Sequence, residues 1–196
     1  MIVMVTGGAR SGKSSFAERW CMKHASKSYY IATAQAFDAE MEQRIALHRQ
    51  QRVSAGYVWE TIEEPLQLGD LLLNLGSRQF EEGHREYEGE ASHSVLIDCL
   101  TLWLSNMLLV VHEQDDAEAK MMREIDRLIE VIASYRGTLV IVTNEVGSGI
   151  VPAYALGRQY RDLAGILNRR IAAIADQVFL VTAGIPIELK SMEYKL

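Results

Sequence analysis

Short apolar segments alternate along the chain with longer segments whose apolar residues recur at helical spacing. Five nearly continuous apolar runs predict buried strands, at residues 2–6, 28–32, 94–97, 138–143 and 177–182. Weaker signals predict a strand at 57–62 and the partner of a terminal hairpin at 185–189. Runs without polar alternation are typical of parallel strands that are covered on both faces.

The segments between these runs predict helices at residues 13–25, 38–52, 66–75, 101–111, 117–135 and 156–175. The polar stretch at 78–93 predicts a mobile surface loop. Strands that alternate with amphipathic helices favour an α/β fold, with a mostly parallel central sheet and helices on both faces. Because no internal repeat, low-complexity tract or linker interrupts this order, we expect residues 1–196 to form a single domain.

Composition narrows the class of protein. The 196 residues carry a formal net charge of −6, and 48% of them are hydrophobic, which excludes a disordered chain, a collagen-like fibre and a disulfide scaffold. The acidic balance argues against a nucleic-acid partner but not against a nucleotide. Cys21 and Cys99 have neither metal nor redox spacing, which predicts reduced thiols. The chain starts without a signal-peptide pattern, and its most apolar run, 102–111, is too short to span a bilayer, so we expect a soluble cytoplasmic protein.

One motif indicates a phosphate site. The segment GGARSGKS matches G-x-x-x-x-G-K-[ST] between a predicted strand and a predicted helix; its members are Gly7, Gly8, Ala9, Arg10, Ser11, Gly12, Lys13 and Ser14. Glycines allow a tight turn whose N–H groups converge on phosphate oxygens at a helix N-terminus. Lys13 is predicted to reach the β- and γ-phosphates, and Ser14 to bind Mg²⁺. A glycine-rich turn without a ligand is the alternative, which the agreement of strand, helix and residue types disfavours.

A carboxylate partner for Mg²⁺ is expected at the end of a later strand. Asp98 follows the apolar residues 95–97 and fits that position; Glu145, after the run at 138–143, is a rival, and a helix-capping role for Asp98 is the alternative. Both carboxylates are expected at carboxyl ends of strands, where open α/β sheets bind ligands. The motif by itself leaves kinase, ATPase, GTPase switch and motor open.

His48 is a second candidate. It shares a helical stripe with Met41 and Ile45, and arginines surround it at positions 44, 49 and 52. Neighbouring guanidinium groups disfavour the imidazolium form, and a neutral ring nitrogen can attack phosphorus and form a phosphoramidate. The alternative is a partly buried histidine satisfied by hydrogen bonds, and spacing alone favours that alternative.

Together these residues make the chain similar to one family, the bifunctional adenosylcobinamide kinase / adenosylcobinamide-phosphate guanylyltransferases of cobalamin synthesis. The resemblance covers nearly the whole chain. It rests on TGGARSGKS at 6–14, YIATAQ at 30–35, RIxxHRxxR at 44–52, WETIE at 59–63, LIDCLTLWLSN at 96–106, TNEVGSGIVP at 143–152 and residues 157–190. The P-loop, HRxxR and TNEVGxGIVP in this order form a highly specific combination.

The resemblance implies two reactions. A nucleoside triphosphate, ATP or GTP, phosphorylates the primary hydroxyl of adenosylcobinamide, and GMP then passes from GTP to that phosphate, giving adenosylcobinamide-GDP and pyrophosphate. In this family the guanylyl group is carried by a histidine, and His48 is the matching position. The resemblance also implies a three-layer, RecA-like P-loop fold and a homotrimer.

By the same resemblance, His48 and Lys13 are the catalytic residues, and Ser14 and Asp98 the expected Mg²⁺ ligands. The implied nucleotide contacts are residues 7–14 together with Thr33, Ala34, Gln35, Arg49, Gln50, Gln51, Arg52, Glu63 and Asp98. Arg161, Asp162 and Asn168 lie in the matching C-terminal helix, where a substrate contact and a helix-face or interface role stay open. Two other functions rank behind this one: a P-loop kinase of another small alcohol with a structural His48, and a nucleotide-controlled binding module.

Overall fold

The computed structural model describes residues 1–36, 39, 42–43, 46, 50, 52, 56–83 and 93–195. Within these ranges seven strands form one sheet in the order β3-β2-β4-β5-β1-β6-β7. The strands are β1 (Ile2–Thr6), β2 (Lys27–Ala32), β3 (Val58–Glu63), β4 (His93–Asp98), β5 (Thr138–Val142), β6 (Gln177–Thr182) and β7 (Ile185–Glu188). Strands β1 to β6 pair in parallel and β7 is antiparallel to β6, which confirms the predicted sheet and its terminal hairpin.

The helices that have assigned bounds follow the predicted order. They are α1 (Lys13–His24), α2 (Leu68–Gly83), α3 (Leu100–Val111), α4 (Ala117–Ser134) and α5 (Ala155–Ile174), and a short 3₁₀ helix follows at Lys190–Met192. The predicted helix at 38–52 lies mostly outside the described residues, and those of its residues that are described are helical: Ala39, Glu42, Gln43, Ala46, Gln50 and Arg52. No helix in the described ranges is long and apolar enough to cross a membrane.

The prediction of a loop over 78–93 is wrong at both ends. Helix α2 continues to Gly83 and strand β4 begins at His93, while residues 84–92 lie outside the described part of the chain. Arg, Gln and Glu at positions 78, 79, 81 and 82 have good helix propensity and prolong the helix. The helix is described as far as Gly83. A polar segment is therefore not necessarily a loop when its residues favour a helix.

Successive residues of the central strands face opposite sides of the sheet, which creates two cores. Ile2 and Met4 of β1 belong to the larger core, beside buried residues of α2, α3, α4 and α5. Val3 and Val5 belong to the smaller core, which includes Ala17, Trp20 and Cys21 of α1. This three-layer arrangement confirms the predicted α/β architecture. Cys21 and Cys99 are both buried free thiols.

The parallel strands position the candidate site. In register, Ala32 of β2 pairs with Glu63 of β3 on one side and with Asp98 of β4 on the other. Strand β5 lies between β4 and β1, so the residues after β2, β4, β5 and β1 all emerge at the same edge of the sheet. Open α/β sheets bind ligands at this edge.

Helix α3 offers a test of the larger core. Leu104 is fully buried, whereas Leu109 on the same helix is 47% exposed. Leu104→Ala is expected to lower the free energy of unfolding by about 3 kcal/mol, because it removes apolar contacts and leaves a cavity. Leu109→Ala is the matched control, with an expected change within about 0.5 kcal/mol. Urea denaturation measures both, and equal losses would contradict the assignment of the core face.

Candidate nucleotide-binding and active site

The phosphate loop (residues 7–14) forms a tight turn that leads into the first residues of α1. The Lys13 side chain is buried, and its Nζ donates to the carbonyl oxygen of Gly8 at 3.0 Å. The N–H of Ser11 donates to the same carbonyl at 3.3 Å. Gly12 precedes the helix with a φ of +91°, a left-handed conformation that glycine adopts without strain. The loop therefore has the glycine turn and the inward lysine that its motif predicts.

Neighbouring loops hold this turn from two sides. The N–H of Glu145, after β5, donates to the carbonyl of Gly7 at 3.1 Å, and the N–H of Gly184, after β6, donates to the carbonyl of Ser11 at 2.8 Å. A Cβ atom at Gly7 would lie 2.4 Å from the carbonyl oxygen of Val181. Glycine is thus required at position 7 because another backbone passes so close.

Among the residues that the structure describes, two hydroxyl groups of this region are buried without a hydrogen-bond partner. They are Thr6 Oγ1, at the end of β1, and Ser11 Oγ, within the loop. A buried hydroxyl without a partner costs free energy, so such groups in native structures call for an explanation. A loop that binds an anion supplies one, because a ligand oxygen can accept from these hydroxyls.

The ends of β2 and β4 are joined by hydrogen bonds around Thr33. Its buried Oγ1 accepts from the N–H of Cys99 at 2.8 Å and donates to the carbonyl of Cys99 at 2.7 Å. Its N–H donates to the carbonyl of Asp98 at 3.2 Å. Burial raises the pKa of the Cys99 thiol to about 11, and the Asp98 charge adds to the increase. The hydrogen bonds of Thr33 therefore hold the end of β2 against the end of β4.

Asn106 is a site residue that sequence reasoning missed. Its buried amide Nδ2 donates to the carbonyl of Thr33 at 2.8 Å and to that of Pro65 at 3.1 Å, tying the loop after β2 to the loop after β3. The signal was present, since Asn106 interrupts the most apolar run of the chain. A polar residue inside an apolar helix is expected to have hydrogen-bonding partners.

The two rival carboxylates have different partners. Asp98 Oδ2 accepts from the hydroxyl of Tyr30 at 2.9 Å. Glu145 Oε1 accepts from the N–H of Gly147 at 3.1 Å, within its own loop. Both residues lie at the edge of the sheet where the motif predicted an acid. The choice of Asp98 as the metal ligand stays a prediction.

A buried charged cluster, the Arg52 cluster (Glu18, Tyr30 and Arg52), lies on the α1 side of the sheet. The Arg52 side chain is 5% exposed, its Cζ lies 3.6 Å from the centroid of the Tyr30 ring, and its Nη1 lies 3.9 Å from Glu18 Oε1. Burial raises the pKa of Glu18 to about 7, although the Arg52 charge lowers it; the Asp98 charge adds to the increase. Glu18 and Tyr30 were not predicted as site residues, because nothing in their sequence spacing points to Arg52.

The remaining predicted contacts are placed as follows. Gly8, Ala9 and Arg10 are exposed, as are Gln50 and Glu63, while Ser14, Ala34 and Gln35 are half-buried. His48, Arg49 and Gln51 lie outside the described residues, as do Met41, Arg44 and Ile45. The phosphate loop, Thr33 and Asp98 therefore lie at the same edge of the sheet, and Arg52 lies on its α1 side. Glu63 lies at the end of β3.

Asn168 of helix α5 forms hydrogen bonds to the loop that follows β5. Asn168 accepts from the Thr143 hydroxyl at 2.6 Å and donates to the carbonyl of Asn144 at 3.0 Å. Asn144 in turn donates to Thr101 Oγ1 at 2.7 Å. The buried Asn168 therefore shapes the loop after β5, whereas Arg161 pairs with its neighbour Asp162, which is exposed.

The sequence matches one known protein family over most of its length. Residues 3–189 match the family described as cobinamide kinase / cobinamide phosphate guanyltransferase (CobU). The bifunctional adenosylcobalamin biosynthesis protein CobP of Pseudomonas aeruginosa is 41% identical over 187 residues, covering 95% of this chain and 96% of the relative. Proteins of the same description, CobU of Salmonella typhimurium and of Escherichia coli, are 38% and 37% identical, with 97% of this chain and all of each relative covered.

Solved structures add information about the fold alone. A prototypical ATPase of a bacterial type III secretion system has a TM-score of 0.51 at 11% identity, covering all of this chain and 58% of that chain. The assembled ATPase EscN of enteropathogenic E. coli has a TM-score of 0.56 at 12% identity, covering 93% of this chain and 43% of that chain. These likenesses agree with the predicted three-layer fold of P-loop NTPases.

Gly7→Ala tests the packing of the phosphate loop. The new Cβ would collide with the Val181 carbonyl, so we expect a loss of about 2 kcal/mol in the free energy of unfolding and at least about tenfold weaker binding of a fluorescent GTP analogue. Gly69→Ala is the control, because nothing lies within 4 Å of a Cβ at that position. Unchanged GTP binding by Gly7→Ala would show that the loop tolerates displacement.

Glu18 gives the protein a pH dependence of stability. Its pKa is raised from an ordinary 4.5 to about 7 on folding, so between these values the unfolded chain has lost a proton that the folded chain keeps. The free energy of unfolding is therefore expected to fall as pH rises from 4.5 to 7, with a contribution from this group of at most about 3 kcal/mol. Urea denaturation at several pH values measures it. Glu18→Gln should remove this contribution and the exposed Glu130→Gln should keep it; identical pH profiles for Glu18→Gln and wild type would contradict the assignment.

Proposed function

The chain belongs to the cobinamide kinase / cobinamide phosphate guanyltransferase family, and on that basis we propose that it catalyses both reactions of the family name. It phosphorylates adenosylcobinamide with ATP or GTP and transfers GMP from GTP to the resulting phosphate, giving adenosylcobinamide-GDP. The observation that carries the proposal is a P-loop with a buried Lys13 in a chain that matches this family over residues 3–189. Its relatives are named bifunctional proteins of adenosylcobalamin biosynthesis.

In the kinase reaction the substrate hydroxyl oxygen attacks the γ-phosphorus and releases its proton to solvent, the bond to the β,γ-bridging oxygen breaks, and the nucleoside diphosphate leaves. Positioning and charge neutralisation dominate such transfers. Lys13 and the N–H groups of the phosphate loop hold the β- and γ-phosphates and stabilise the charge that develops on the leaving group. Binding of phosphate would draw Lys13 Nζ away from the carbonyl of Gly8, its present acceptor.

In the guanylyl transfer the attack is on the α-phosphorus. A neutral ring nitrogen of His48 forms a bond to phosphorus, the α,β-bridging bond breaks, and pyrophosphate leaves. A phosphate oxygen of adenosylcobinamide phosphate then attacks the same phosphorus and displaces the histidine nitrogen. Covalent catalysis splits one transfer into two displacements in this way. In this reaction the phosphate loop stabilises pyrophosphate as the leaving group, whereas in the kinase reaction it stabilises a nucleoside diphosphate.

Mg²⁺ fits the donors at this edge. Ser14 offers a hydroxyl and Asp98 a carboxylate, hard oxygen ligands of the kind that Mg²⁺ takes together with substrate phosphates. The described residues contain no group of three or more His, Cys, Asp or Glu side chains that could hold a metal by themselves. When bound, the ion neutralises phosphate charge.

The remaining nucleotide contacts of the proposal come from the loops around the edge. Thr33, Ala34 and Gln35 follow β2, and Glu63 ends β3. Residues 49–52 supply the arginines that follow His48 in the sequence. We further propose a cytoplasmic homotrimer, on the family resemblance.

A covalent-labelling experiment tests the guanylyl transfer. Wild-type protein mixed with Mg²⁺ and GTP labelled at the α-phosphate should retain acid-labile, alkali-stable label after denaturation, as a phosphoramidate does. His48→Ala should retain none, while His112→Ala, at the surface end of α3, should label as wild type does. Absence of label on folded wild-type protein that binds GTP would contradict the histidine mechanism and favour a simple kinase with a structural His48.

A further inference from the structure

The Arg52 cluster lies between α1 and the sheet and joins two parts of the proposed active site. We propose that Glu18 and Tyr30 are positioning residues for the guanylyl transfer, which act by fixing the Arg52 guanidinium against the Tyr30 ring. The inference rests on the proposed function for the reaction and on the contacts below for the residues.

The Arg52 guanidinium is held on two sides. Its Cζ lies 3.6 Å from the centroid of the Tyr30 ring, and its Nη1 lies 3.9 Å from Glu18 Oε1. A guanidinium group stacks well on an aromatic face. With only 5% of the side chain exposed, its charge depends on such neighbours, because a buried charge without a partner is costly. The ring and the carboxylate therefore determine where this guanidinium lies.

Tyr30 also reaches the proposed metal ligand. Its hydroxyl donates to Asp98 Oδ2 at 2.9 Å, so one side chain contacts both the guanidinium and the carboxylate. Trp59 packs edge-on against the Tyr30 ring, with centroids 5.9 Å apart and planes at 86°.

The Arg52 cluster is expected to affect the guanylyl transfer more than the kinase reaction. Arg52 follows His48 by four residues in the sequence, so fixing Arg52 limits where the nucleophile can go. The guanylyl transfer needs an in-line approach of that nucleophile to the α-phosphorus, and small misplacements are costly in such steps. The kinase reaction uses the phosphate loop and no histidine. Loosening the cluster should therefore slow self-guanylylation more than phosphorylation.

Substitutions at the two positioning residues separate these roles. Tyr30→Leu removes the ring beneath Arg52, and Glu18→Gln keeps the shape of the side chain while removing its charge. For both variants we expect the maximal rate of labelling by α-labelled GTP to fall by about tenfold or more, with the half-saturating GTP concentration within about threefold of wild type. Tyr30→Phe keeps the stacked ring and should retain labelling within about threefold.

The kinase reaction and a packing variant serve as controls. Phosphorylation of cobinamide by ATP should fall by a smaller factor than labelling does in Tyr30→Leu and Glu18→Gln, because it does not use His48. Val140→Ala, which removes buried apolar volume and no polar atom from the same core, should lower the unfolding temperature without changing the ratio of the two rates. If Tyr30→Leu fails to fold, the nearly isosteric Glu18→Gln still tests whether the neighbours of Arg52 have a positioning role.

The outcomes distinguish two failures. Full labelling of Tyr30→Leu and Glu18→Gln, or an equal fall of labelling and phosphorylation, would overturn the positioning role. Absence of label on wild-type protein would instead overturn the proposed function, before any variant is compared.

Discussion

Parallel strand pairing is the constraint on which the candidate site depends. Six strands run in the same direction, so the segments that follow β1, β2, β4 and β5 emerge at one edge, although they are far apart in the sequence. Backbone hydrogen bonds then lock those segments together: the loops after β5 and β6 hold the phosphate loop, and Thr33 joins β2 to β4. The backbone groups of the site are therefore shared between neighbouring loops rather than satisfied within each one.

Some buried polar groups at this edge of the sheet have hydrogen-bond partners and others do not. Asn106, Asn168 and Thr33 have partners for their buried polar atoms, and these residues hold loops in place. In the described part of the chain, Thr6 before the phosphate loop and Ser11 within it each bury a hydroxyl without a hydrogen-bond partner, and Glu18 is buried with a raised pKa. Such costs are commonly concentrated where a protein binds ligands, because the ligand-bound state satisfies groups that the free state does not.

Much of the site followed from the sequence where a short motif carries its own geometry. The phosphate loop is such a motif, since a strand, a glycine turn and a helix are adjacent along the chain. Asn106 gave a weaker signal, a polar residue within an apolar helix, that pointed to a buried hydrogen bond without naming its partners. Glu18 and Tyr30 gave no signal, because their relation to Arg52 arises from the packing of α1 against β2 and not from spacing.

By itself the sequence determined the alternation of strands and helices, the phosphate loop and the family. Local propensity, apolar periodicity and a contiguous motif carry that information over short distances. The tertiary structure decided the order of the strands, the extension of α2 to Gly83 and the joining of Glu18, Tyr30, Arg52 and Asp98. These features depend on contacts between residues far apart in the chain, whose distances are set only when the sheet and its two cores form together.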